Sequence, residues 1–64
     1  MRDPERIDRM LEKIRTLWKR NPDLRLGQLI VNAANDGGNT TIPYYAEDDT
    51  VERGVDEGLR RLEL

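Results

Sequence analysis

Pro22-Asp-Leu-Arg-Leu-Gly-Gln-Leu-Ile-Val-Asn32 is the stretch that decides how this chain folds. Pro22 and Asp23 make a turn signal, and Asp23 is a residue type that caps helices, so a helix is expected from about Leu24 to Ala34. At 100° per residue, Leu24, Leu26, Leu29, Ile30, Val31, Ala33 and Ala34 spread over well more than half of its circumference, with Gly27 inside the arc. A helix that apolar cannot be satisfied by one neighbour. It is either the central helix of the domain or one that also faces another subunit.

Upstream, Asp3 is an N-cap and Pro4 occupies the first helical position, where its missing N–H costs nothing. Ile7, Met10, Leu11, Ile14, Leu17 and Trp18 then recur at three- and four-residue steps, which predicts a helix ending near Arg20 because Pro22 disfavours helical geometry at Asn21. Downstream, Asn35 to Thr41 (NDGGNTT) is a loop by composition. Ile42 to Tyr45 is expected as a short extended piece over the core, with Pro43 arguing against a central strand. A last helix, roughly Asp49 to Leu62, carries Val51, Val55, Leu59 and Leu62 on one face. Gly54 and Gly58 lie on its flank, where they either receive a closely approaching backbone or merely weaken the helix. The expectation is an all-α single domain over residues 1–64: three helices, with a long loop and short extended segment before the last.

Sixty-four residues is close to the size at which one core is marginal. With no cysteine to staple the chain, idealised packing or self-association must help, so a homodimer is a reasonable expectation. The chain also lacks His, Ser and Phe. Only carboxylates, Lys13, Lys19 and two tyrosines remain for acid–base work, which argues against an enzyme, and no cofactor or metal is expected. Glu47, Asp48 and Asp49 lack the spacing of a calcium loop, and Gly37-Gly38 lacks the residues of a phosphate loop. No apolar run approaches membrane-spanning length, so a cytoplasmic protein is expected.

Charge is unevenly spread. Residues 1–25 hold eight Lys or Arg against five Asp or Glu, a balance of +3, and residues 26–64 hold three against eight, a balance of −5. Arg2, Arg6, Arg9, Lys13 and Arg20 fall on one stripe of the first helix, while Asp49, Glu52, Asp56 and Glu63 form an acidic stripe on the last. Repeated like charges at i, i+4 repel unless something acidic neutralises them. If the stripes meet, the pattern is structural; if not, the basic one is an exposed anion-binding ridge. Arg25, Gln28 and Asn32 form a polar strip on the second helix, either a partner-reading face or its solvent side. Asn32, at the end of an apolar helix, can also hydrogen-bond the loop that follows. Tyr44 and Tyr45 cannot both face inward from an extended segment, so one should be an exposed contact residue.

DPERID (Asp3 to Asp8), Trp18, PDLRLGQLIVN and YYAEDD (Tyr44 to Asp49) together resemble a group of short bacterial and phage-borne proteins that run D-P-x-R-I, a helix ending in W, P-D-L/F-R-L/F-G-Q-L-I/L-x-N and later Y-x-E-D-D/E. More distantly the chain is similar to the YihD-like proteins. The resemblance implies a compact helical fold and brings no activity with it. The loop before Pro43 looks longer than usual for that group, and glycines stand at 54 and 58 where helix formers are expected.

These residues point to a non-enzymatic protein-interaction module, of the kind a phage or mobile element carries to modulate a host or viral macromolecule. The partner candidates are Arg2, Arg6, Arg9, Lys13, Arg25, Gln28, Asn32, Tyr44 and Tyr45. The alternative is a small nucleic-acid-associated regulator using the basic stripe, which an acidic last helix and a pI of about 5.0 disfavour.

Overall fold

The computed structural model describes residues 2–62, with only the backbone at position 62. Three helices, α1 (Glu5–Arg20), α2 (Leu26–Asp36) and α3 (Asp48–Leu62), make an all-α domain, and a 3-10 turn (Pro43–Tyr45) precedes α3. α3, not α2, is the central helix. It packs on both others, while α1 and α2 touch each other little. Residues 6, 9 and 13 of α1 meet 48, 52 and 56 of α3 in the same order, so these two run parallel. Positions 37 and 33 meet 50 and 54 in the opposite order, so α2 runs antiparallel to α3.

α1 begins as its sequence requires. The Asp3 carboxylate accepts the Glu5 N–H at 2.9 Å, and Pro4 already has helical φ and ψ of −67° and −16°. The helix ends at Asn21, whose N–H donates to the Trp18 carbonyl at 2.9 Å and whose side-chain amide donates to the Leu17 carbonyl at 3.0 Å.

α2 starts two residues later than expected, and Asp23 does not cap it. The Trp18 indole N–H donates to the Leu24 carbonyl at 2.8 Å, committing that carbonyl to α1 instead of to a helical partner. Arg25 is therefore extended (φ −76°, ψ 150°) and becomes the cap position, with the Gln28 side chain accepting its N–H at 2.9 Å. The far end runs past Ala34 to Asp36 and closes in a Schellman motif. Asn39 N–H reaches the Ala34 carbonyl, Gly38 N–H reaches the Asn35 carbonyl, and Gly38 takes the positive φ, 101°, that this ending demands.

The tightest packing is backbone against backbone. A Cβ at Gly54 would lie 1.6 Å from the Ala33 carbonyl oxygen, and one at Gly37 would lie 1.8 Å from the Thr50 carbonyl oxygen. Of the two alternatives for the glycines of the last helix, a closely approaching backbone is found at Gly54. Gly58 instead faces the Leu17 side chain, whose methyls would sit 3.2 Å from an added Cβ. Around this crossing lie the four fully buried apolar side chains among the described residues, Leu29, Ala33, Ala34 and Val55. Arg53 ties the following loop down by donating to the Gly37 carbonyl at 3.1 Å.

The segment before α3 is not an extended piece over the core. Tyr45 N–H bonds the Ile42 carbonyl and Ala46 N–H bonds the Pro43 carbonyl, closing a 3-10 turn in which Pro43 supplies the φ it prefers. Only the flanking Ile42 and Ala46 are extended.

Candidate protein interface

The two charged stripes meet within one chain. Arg6 Nε donates to Asp48 at 2.6 Å, and Arg9 grips Glu52 with two nitrogens at 2.7 and 2.9 Å. Lys13 bridges Glu52 and Asp56, at 2.9 Å each, and Arg2 reaches Glu47 at 3.2 Å and Asp48 at 3.6 Å. The carboxylates responsible repeat every four residues, Asp48, Glu52 and Asp56, a spacing legible in the sequence. Asp49, assigned to the acidic stripe, is exposed and makes no ion pair among the described residues. Arg20, assigned to the basic stripe, also makes none there. Glu63 lies outside the described residues, as does the Leu62 side chain expected on the apolar face.

Glu52 is the centre of this zipper, with its side chain only 15% exposed. Hydrogen bonds from Arg9 and then Lys13 stabilise its ionised form and lower its pKa to about 2. Asp48 is lowered by its bond from Arg6, and Lys13 is raised by its bonds to Glu52 and Asp56. Arg2, Arg6, Arg9 and Lys13 are thus brought together, facing carboxylates of their own chain.

Arg25, Gln28 and Asn32 are all exposed on α2. Gln28 is occupied by the cap of its own helix. Asn32, expected to bond the following loop, makes no side-chain hydrogen bond among the described residues. It stands at the rim of a cleft of about 220 Å³ with Asp36 and Arg61, a 3.4 Å ion pair, above Leu29, Ala33 and Gly58. That volume falls below the roughly 300 to 1,000 Å³ of ordinary small-molecule sites.

Tyr44 and Tyr45 are the most conspicuous surface feature. Both project outward, with exposures of 86% and 68%, in place of the one inward and one outward ring that an extended segment predicts. An extended strand would alternate them, whereas the tight turn sends both rings away from the core. The rings pack edge to face, centroids 5.1 Å apart at 82°, and Ile42 beside them is 65% exposed. Such an aromatic pair is pre-ordered by its own contact.

Among the described residues no helix is long and apolar enough to cross a membrane. Compared with protein families, curated proteins and solved structures, the chain matches none.

Proposed function

We propose that this chain is a non-enzymatic protein-interaction module whose contact surface is the Tyr44–Tyr45 outcrop with Ile42. The observation that carries this reading is two adjacent tyrosines held exposed on a hydrogen-bonded turn. Aromatic side chains left in water forfeit burial free energy, and Tyr is among the residue types enriched at binding hot spots. Both rings are limited to few rotamers, so their ordering on binding costs little. The resemblance to bacterial and phage-borne chains is what suggests an accessory role toward a host or viral macromolecule.

The nucleic-acid alternative needs the basic stripe of α1. Phosphates would have to displace Glu47, Asp48, Glu52 and Asp56 from Arg2, Arg6, Arg9 and Lys13, and this geometry favours the protein reading.

The test is affinity capture from bacterial lysate with the wild type and with Tyr44→Ala/Tyr45→Ala, each with and without nuclease. Both rings are mostly exposed, so the double variant should keep its helical circular dichroism while losing the nuclease-resistant partner. Equal recovery by both forms sinks the aromatic surface, and recovery of nuclease-sensitive material alone puts the regulator reading first.

A further inference from the structure

α1 carries two seams with the 4-3-4 spacing of helices that pair along their length. Arg6, Met10, Lys13 and Leu17 lie toward α3 and are all partly buried. Ile7, Leu11, Ile14 and Trp18 form the second seam, turned about a quarter of the way round the helix. Its N-terminal half is open: Ile7 is 48% and Leu11 54% exposed, while Ile14 and Trp18 are half-covered near the turn that Trp18 anchors. No residue of α1 is fully buried.

The surface as a whole is large for the mass. The chain exposes 5033 Å², against about 4,200 Å² for a compact monomer of its mass, an excess of roughly 800 Å² to which the open α1 seam and the Ile42–Tyr45 outcrop both contribute. The total is about what each partner contributes to a standard protein–protein interface.

The charges beside the open seam identify the cover. Its outer flank reads Glu5, Asp8 and Glu12, then Arg15 and Lys19; all five are exposed, and none makes an ion pair among the described residues. An acidic half followed by a basic half is self-complementary under a two-fold axis that runs two copies antiparallel. Setting Leu11 against Ile14 of the other copy, and Ile7 against Trp18, brings Asp8 within reach of the second Arg15 at both ends. Parallel pairing would instead turn this flank toward the Arg6, Met10 and Lys13 side of the other copy, which α3 already occupies, and a shorter antiparallel overlap of Ile7 on Leu11 puts Asp8 against Asp8. We infer that a second copy of this chain docks antiparallel along the Ile7–Leu11–Ile14–Trp18 seam of α1, in the register that pairs Asp8 with Arg15. This inference goes beyond the aromatic surface, because the two use different residues.

Sedimentation equilibrium of the full chain, carried up to about 1 mM, tests it. The expected mass is twice 7.5 kDa. Leu11→Glu, at a side chain already in water, should be monomeric with its helix content intact. Asp8→Arg should weaken assembly about tenfold or more, since it turns two symmetry-related pairs repulsive, and Asp8→Arg/Arg15→Asp should restore it. A mass of 7.5 kDa at every concentration overturns the inference. So does a dimer that survives Leu11→Glu or is lost in Tyr44→Ala/Tyr45→Ala. Failure of the charge swap to rescue Asp8→Arg overturns the antiparallel register.

Discussion

Glycines of one chain differ sharply in what they do. Gly54 has the Ala33 carbonyl where its Cβ would be, so Gly54→Ala must push α2 and α3 apart. The helix gains back up to about 1 kcal/mol of propensity, but overpacking against backbone has no flexible tip to yield, and a net loss of at least about 2 kcal/mol is expected. Gly27 is also helical and has nothing within 4 Å of its would-be Cβ. Gly27→Ala should therefore stabilise the fold by about 0.5 kcal/mol, chiefly by restricting the unfolded chain. Urea denaturation of both variants separates the cases, and similar shifts would refute the close-approach account of Gly54. Gly58 lies between them, because the Leu17 methyls it faces can rotate away.

At the scale of elements, α1 is held to α3 by a line of ion pairs as well as by apolar contact. Glu52, inserted between Arg9 and Lys13, is the member that both cations share. Its pKa is lowered from 4.5 to about 2, so between those values the unfolded chain binds the proton first. The stabilisation is then complete above about pH 4.5 and decays as pH falls through about 2. Asp48 is lowered in the same direction, and Lys13, being raised, loses its contribution only as pH climbs past its ordinary 10.5. Glu52→Gln should cost about 1 to 2 kcal/mol near neutrality, with the deficit shrinking toward about pH 2. Denaturation midpoints across that acid range check the sign: a deficit independent of pH would mean that Glu52 acts through packing alone.

As a whole molecule the domain is thinly cored. Among the described residues, four buried apolar side chains and two buried glycines are little against the conformational entropy of ordering the chain. Apolar burial supplied by a second copy enters stability by mass action. The melting temperature of the wild type should accordingly rise with protein concentration, whereas that of Leu11→Glu should stay flat. Calorimetry over a hundredfold concentration range is the check, and parallel behaviour of the two chains would mean that the fold stands on its own core.

Local chemistry is legible in the order of residues alone. Asp3, Pro4 and the three- and four-residue apolar steps specify α1, because caps, proline geometry and helical period act within a few residues. The basic stripe is legible through Arg2, Arg6, Arg9 and Lys13 but not Arg20, and the acidic one through Glu52 and Asp56, whereas periodicity alone chose Asp49 where the structure pairs Asp48. What only the tertiary structure decides involves partners far apart in the chain. Trp18 claims the Leu24 carbonyl and moves the start of α2; Gly54 admits the backbone of Ala33 and makes α3 the middle helix. Pro43 closes a turn that sends both tyrosines outward. Each turns on where a second segment lies, and a carbonyl or an absent Cβ carries no mark in sequence of what will approach it.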